Sequence, residues 1–237
     1  MQETVKKTYT DFHLRHNPAH VYPSEWIVRT LLGSYPGLSL DQSNYSGSKI
    51  LDMGFGDGRN WTLLHNAGLD IYGVEITEKI IELGEERARS LGIPVKLKLG
   101  TNSSIPFEDE FFDYILASCS CHYVDAGTSF SDNLREYHRV LKQGGSLIAT
   151  LPEVDSSIFS GCVDLGEGHV EIRNDPWGIR NGYTFKMFRS EQDVKDVFSP
   201  DFDSFSIGLC RDNYYGIQIN LFLLVCRKVA LPLAATS

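Results

Sequence analysis

The stretch Asp52-Met-Gly54-Phe-Gly56-Asp-Gly58 constrains this chain more than any other. It follows the apolar run Ile50-Leu51-Asp52-Met53 and leads into helical periodicity near Arg59-Asn60. Glycines at alternate positions let a backbone turn tightly and set bare amides against a ligand, because they carry no Cβ to hold it off. A strand that ends in such a turn and passes into a helix opens a nucleotide-type site in a sheet flanked by helices. Glu75 ends the next apolar run, where a carboxylate can accept hydrogen bonds from both hydroxyls of a ribose. Strand before, helix after and acid at the second strand end together point to a nucleoside carrying a charged tail.

The residues downstream continue the same alternation. Ile71 to Glu75, Val95 to Leu99, Tyr114 to Ser118 and Ser146 to Leu151 read as strands. Between the second and third strands, Thr77 caps a helix whose Ile80, Gly84, Ala88 and Leu91 share one face, and Gly92 with Pro94 ends it. Leu134, Tyr137, His138 and Leu141 repeat at helical spacing, and Gly144-Gly145 is expected to stop that helix. Right-handed crossovers wind such units into one open α/β sheet, with ligands bound beyond the carboxyl ends of its strands. A helix capped by Ser190 and two strands, near Ser204 to Leu209 and Ile217 to Cys226, close the chain.

Three segments follow from this reading: an N-terminal lid and linker over 1–47, the main domain over 48–237, and within it a substrate-side insert at about 152–189. The lid, punctuated by Pro18 and Pro23, is read as irregular or partly helical, with a helix from about Ser24 to Leu32.

Charge and apolar patterning bound the partners. Thirty-one acidic against 22 basic residues give a net charge of −9, and no Lys/Arg run offsets it, so nucleic acid and anionic membrane surfaces are excluded as expected partners. The longest apolar stretch, Ile217 to Cys226, is interrupted by Gln218 and Asn220 and is far shorter than the roughly 20 residues of a membrane span. The first residues lack the apolar core of a signal peptide, and five cysteines without Cys-x-x-Cys spacing indicate neither a disulfide framework nor a zinc site. A cytoplasmic protein is expected, with a homodimer left open.

Four segments in order resemble the class I S-adenosylmethionine (SAM)-dependent methyltransferases. Ile-Leu-Asp-Met-Gly-Phe-Gly-Asp-Gly looks like that family's first motif and Val74-Glu75 like its ribose-binding acid. Pro106-Phe107-Glu-Asp-Glu-Phe-Phe-Asp113 looks like its approach to strand four, and Leu141-Lys-Gln-Gly-Gly145 like its turn into strand five. The resemblance runs from about Lys49 to Leu151 and more faintly to Lys228. It implies a Rossmann-like, doubly wound, seven-stranded, mostly parallel sheet with the last strand inserted antiparallel, and SAM as cofactor. It further implies that Asp52, Gly54, Gly56 and Gly58 face the methionine portion, Glu75 the ribose, and Gly100 to Ser103 the adenine, with Ser118 also on the cofactor side. One departure is visible. Gly100-Thr101-Asn102 stands where many members have Gly-Asp, so Thr101 or Asn102 would have to contact the adenine amine through a neutral oxygen.

Two alternatives remain beside methyl transfer. A nicotinamide dehydrogenase shares the acidic ribose contact, but its Gly-x-Gly-x-x-Gly fingerprint is not matched, because the third glycine here is Gly58, with Arg59 and Asn60 following. No Tyr-x-x-x-Lys hydride-transfer pair is evident either. A fold that binds SAM without catalysis is the other.

Methyl transfer is an in-line displacement, so holding nucleophile and methyl together in a dry pocket supplies much of the rate, and a base is needed only where the acceptor must lose a proton. His122, in Ser118-Cys-Ser-Cys-His122-Tyr123 at the end of strand four, is the general-base candidate, because its ordinary pKa lies near neutrality; packing beside the cofactor is the equal alternative. Asn-Pro-Pro-Tyr is absent at this position. Tyr9, His13 and Tyr22 from the lid, Tyr123, and His169 from the insert are the expected substrate-binding residues, with Arg173, Trp177, Arg180 and Tyr183 adding cations and rings that suit a polar or anionic small molecule. The expected acceptor is an oxygen or nitrogen of such a molecule, with a sugar or glycan precursor in view. No resident metal is expected, although Glu167-Gly-His169-Val-Glu171 offers carboxylate and imidazole ligands.

Overall fold

The computed structural model describes residues 2–15 and 20–229; Pro18 and residues 230–237 lie outside them. The central sheet is built from β1 (Lys49–Met53), β2 (Asp70–Glu75), β3 (Val95–Leu99), β4 (Phe112–Ala117), β6 (Leu141–Pro152), β10 (Phe202–Tyr214) and β11 (Ile217–Lys228), in the order β10-β11-β6-β4-β1-β2-β3. A small sheet, β5 (Tyr123–Val124), β9 (Thr184–Lys186), β8 (His169–Glu171) and β7 (Val163–Gly166), stands beside it. The helices are α1 (Gln2–Arg15), α2 (Glu25–Leu32), α3 (Trp61–Asn66), α4 (Glu78–Leu91), α5 (Phe130–Val140) and α6 (Glu191–Phe198).

The Rossmann-like expectation holds in detail. β1 pairs in parallel with β2 and β4, β2 with β3 and β4 with β6, while β11 runs antiparallel between β6 and β10. The reversal at β1, flanked by β2 and β4, opens the crevice where ligands bind in such sheets. Because side chains alternate along a strand, Leu51 and Ile115 join Tyr137, Phe188 and Phe222 in the core on one face, while Ile50, Tyr114 and Leu116 join Ile27, Trp61 and Ile80 on the other. Both faces are covered, which is why the central strands read as apolar runs instead of alternating ones.

Local signals act as the spacing predicts in several places. The Thr77 hydroxyl accepts from the Ile80 amide at 3.4 Å, Gly92 closes α4 at φ 67°, and the Ser190 hydroxyl accepts from the Asp193 amide at 3.1 Å. One boundary differs. α5 stops at Val140, before Gly144, because Leu141 already pairs with Phe112 in the sheet; Gly144, at φ 70°, is a kink inside β6 and not the end of the helix. At α2, Ser24 occupies the cap position without a side-chain cap bond.

The region after Pro152, which carries little periodicity, is where the small sheet forms. Its strands enclose a core of Phe159, Val170, Ile172, Phe185 and Met187. β5, from the loop after β4, pairs with β9 through Tyr123↔Phe185 and Val124↔Thr184, so this loop and the insert are tied into one wall.

Candidate active site

A cavity of about 610 Å³ opens at the carboxyl ends of β1, β2 and β4, within the size range of small-molecule sites. Its floor is the glycine turn. Gly54 and Gly56 have φ of 67° and 56°, which non-glycine residues avoid. A Cβ on Gly54 would lie 2.8 Å from the Ser120 Cβ, so this glycine lets the loop after β4 press onto the turn. A Cβ on Gly56 would stand 3.0 Å from the His13 ring, the α1 side chain that lies over the turn. Gly58 serves its own helix: a Cβ there would run into the Trp61 indole at 2.7 Å.

Glu75 is the best-held group of the site. It is 1% exposed; its Oε1 accepts from the Gly56 amide at 2.9 Å and its Oε2 from the Ile76 amide at 2.9 Å. Burial pushes its pKa up, while the Ile76 and Gly56 amides and the Tyr9 hydroxyl pull it back. The Tyr9 hydroxyl donates to Oε1 at 3.3 Å, so helix α1 reaches the carboxylate that would hold a ribose. α1 is fastened at further points: the Thr10 and Thr77 hydroxyls lie 3.2 Å apart, and Val5 packs against Gly182 of the insert.

The loop after β4 is pinned from below. The Asn102 amide nitrogen donates to the carbonyls of Ser120 (2.9 Å) and Tyr123 (3.1 Å), and its oxygen accepts from the Tyr137 hydroxyl at 2.6 Å. Asn102 therefore lines the cavity with its side chain fully engaged as a strut. The carboxylate in this quarter is Asp125, whose Oδ2 accepts from the Ser103 hydroxyl at 2.6 Å; only the fold brings it beside residues 101–103.

Of the expected cofactor residues, Gly54, Gly56, Glu75, Asn102 and Ser118 line the cavity, and Asp52, Gly58 and Thr101 do not. Asp52 is 1% exposed with Oδ2 unpartnered, and burial, aided by the nearby Glu75, raises its pKa to about 7. The Thr101 hydroxyl sits 3.2 Å from that of Ser103 in a tight bridge with Ser104. Of the expected substrate residues, Tyr9, His13 and Tyr123 line the cavity; Tyr22 is 79% exposed elsewhere, and His169 lies on β8 away from it.

His122 is not brought to the cavity. It is 5% exposed, its ring lies 4.6 Å from Phe185 and 5.0 Å from Tyr123, and burial, followed by the Arg180 charge, drives its pKa down to about 3. It is a neutral core imidazole behind the wall that Tyr123 presents. The wall itself comes from the insert: Glu171, Trp177, Arg180 and Tyr183 line the cavity. Sequence reasoning singled out Arg180 and Tyr183 only as members of a rich segment, and missed Asp125 and Asp57; the run Asn174-Asp175-Pro176-Trp177-Gly178, a turn by composition, was the available signal for what sets Arg180 in place.

Among the described residues no group of His, Cys, Asp and Glu is arranged to hold a metal ion, and no helix is long and apolar enough to cross a membrane.

Comparison with known proteins agrees with this architecture. A family described as a methyltransferase domain matches residues 51–149. A demethylmenaquinone methyltransferase of Staphylococcus aureus is 31% identical over 112 residues, covering 46% of this chain and 44% of the relative, so the chain spans less than half the length of the curated relatives it matches. A SAM-dependent methyltransferase of Methanosarcina mazei superposes with a TM-score of 0.64 at 23% identity, over 84% of this chain and 99% of the other. A Burkholderia thailandensis 1,6-didemethyltoxoflavin-N1-methyltransferase, solved with 1,6-didemethyltoxoflavin and S-adenosylhomocysteine, does so with 0.61 at 16% identity, over 96% and 86%. With the first motif, the acid after β2 and the antiparallel insertion of β11 all in place, residues 51–149 match a methyltransferase domain, and the chain has the Rossmann-like fold of these SAM-dependent methyltransferases.

Proposed function

We propose that this chain binds SAM in the cavity and transfers its methyl group to an oxygen or nitrogen of a small polar molecule. The carrying observation is Glu75, fixed by the amides of Gly56 and Ile76 at the point where the glycine turn meets β2. A buried carboxylate held by amides, with lone pairs still directed into a cavity, suits a pair of ribose hydroxyls. Gly54 and Gly56 line the cavity beside it, where the tail would lie, and Asp125 with the backbone of 102–103 edges the base.

Bound there, SAM supplies an activated methyl carbon on a positively charged sulfur. This chain's residues then hold the acceptor in line and keep water out. Tyr9 and Tyr123 wall the space between the cofactor loop and the insert, and α1 lies across it as a lid. No imidazole with a near-neutral pKa and access to the reacting atoms is available from His122, so the proposal assigns catalysis to approximation and orientation in place of proton abstraction by that residue.

The segment assignments, lid over 1–47 and insert at about 152–189, form part of this proposal, as does a cytoplasmic setting. The glycan-precursor reading of the acceptor gains nothing from the relatives, whose names refer to demethylmenaquinone and 1,6-didemethyltoxoflavin. Calorimetric titration with SAM, S-adenosylhomocysteine and NAD tests the core of the proposal: SAM and S-adenosylhomocysteine bind and NAD does not. NAD binding alone would return the site to the dehydrogenase reading, and SAM binding without methyl release to any acceptor tried would favour the non-catalytic one.

A further inference from the structure

Beyond the cofactor half of the cavity lies a group of polar atoms with donor capacity left unspent. Arg180 sits on the insert wall with its side chain 27% exposed. Its Nε donates to the Tyr123 hydroxyl at 3.0 Å and its Nη1 to Asp175 at 3.2 Å; Nη2 bonds to nothing among the described residues. Asp175, whose side chain is wholly buried, is a weak counterion for it. Its Oδ2 accepts from the amides of Ile179 and Arg180, both at 2.8 Å, and its Oδ1 from Trp177 at 3.3 Å, so the turn consumes most of its capacity. The other acids of the cavity are engaged elsewhere: Asp57 with Arg59, Glu171 with Arg173, Asp125 with Ser103, and Glu75 with its two amides.

The neighbouring hydroxyls share this character. Tyr123 spends an oxygen lone pair on Arg180 and keeps its proton to donate. The Tyr183 hydroxyl is buried with no partner at all, an arrangement that a folded protein rarely leaves without a use. Burial pushes both phenols above their ordinary range, so both carry their protons at neutral pH. The Tyr123 and Tyr183 rings meet edge to face with centroids 5.1 Å apart, and the Arg180 guanidinium lies 5.4 Å from the Trp177 ring. Two N–H groups of a guanidinium and two O–H groups, set among aromatic faces, match a carboxylate carried on a flat ring.

We propose that the methyl acceptor is a small aromatic carboxylate, with its acid group docked on Arg180, Tyr123 and Tyr183 and its ring against the tyrosine and tryptophan faces. The inference rests on the methyl-transfer reading and narrows its acceptor. Arg180 is then a specificity-determining residue, and it plays no part in holding SAM.

The test is calorimetry on the full chain saturated with S-adenosylhomocysteine, using benzoate, phenylacetate and cinnamate, each paired with its neutral amide. At least one acid is expected to bind about tenfold or more tightly than its amide, the size of a charge-assisted contact. That preference should vanish in Arg180→Met with S-adenosylhomocysteine affinity unchanged. Tyr183→Phe, which removes no existing hydrogen bond and so spares the fold, should cut the preference about threefold even if Arg180→Met proves unstable. Equal binding of every acid and amide, failure of all three acids to bind, or a preference that survives both substitutions would overturn the proposal. So would an Arg180→Met protein that is folded yet loses S-adenosylhomocysteine, since Arg180 would then serve the cofactor's own carboxylate. Failure of the unaltered chain to bind S-adenosylhomocysteine is a different result: it removes the methyltransferase reading first and this acceptor with it.

Discussion

The two halves of the cavity solve the problem of buried polarity in opposite ways. On the cofactor side the charge is acidic and held in place by main chain: Glu75 is met by the amides of Gly56 and Ile76, and its remaining lone pairs are left for the ligand's hydroxyls. On the insert side the charge is basic and incompletely met, with Arg180 leaning on an Asp175 whose oxygens are taken by the turn. The first half is preorganised by a strand end and a glycine turn, and it tolerates little change. The second is assembled from side chains on the loop after β4 and on the insert, so it can be altered without disturbing the first.

Breaking the cofactor half should produce the largest effect. Glu75→Ala removes the ribose partner and also strands two buried amides, and SAM affinity should fall about 100-fold or more by calorimetry. Unchanged affinity would remove the ribose assignment. The loss of acid preference in Arg180→Met comes next in size, and the two variants together measure how independent the halves are: each should spare the ligand of the other.

Asp52 offers a comparison through pH. Its pKa is about 7 in the folded chain against roughly 3.9 for an unfolded aspartate, so the folded state holds a proton that the unfolded state has lost. Its contribution to stability is fully present below about pH 4 and declines as pH rises toward 7. Asp52→Asn, which stays neutral, should therefore melt several degrees higher than the unaltered chain at pH 8 and close to it at pH 4. A constant difference between the two pH values would contradict the assignment.

His122 sharpens the contrast between wall and lining. With its pKa driven to about 3, it contributes no inflection to the pH–rate profile between pH 5 and 8. An inflection near pH 6.5 that disappears in His122→Asn would restore it as a general base. The smallest effect belongs to α1. Tyr9→Phe removes a hydroxyl that competes with the ribose for Glu75 Oε1, and SAM affinity should rise by up to about fivefold, whereas a fall would show that the hydroxyl itself contacts the ligand.

The parts legible in the sequence are those whose physics is local. Ile50 to Met53, the glycine turn and Glu75 announce themselves through apolar runs, missing Cβ atoms and a fixed place at a strand end, and Thr77 and Ser190 through capping spacing. Gly144 misled because a glycine ends a helix and kinks a strand by the same freedom of φ, and only the pairing of Leu141 with Phe112 distinguishes the two. His122 misled because a histidine's type fixes its ordinary pKa while its burial fixes the actual one. Thr101 and Asn102 were the natural candidates for the base-binding edge, yet the carboxylate there is Asp125, which lies more than 20 residues onward and is folded back by Ser103.

By itself, then, the sequence determined the succession of strands and helices of the central sheet, the open crevice beyond β1 and β2 and the acid at its edge, because hydrophobic period, turn chemistry and chain handedness act between near neighbours. Only the tertiary structure decided which polar side chains share a cavity: that Tyr9 of α1 reaches Glu75, that Tyr123 and Arg180 meet across the small sheet, and that His122 is left behind the wall. Those contacts join segments far apart in the chain, and their charges acquire meaning only from the burial and the partners that the packed fold imposes.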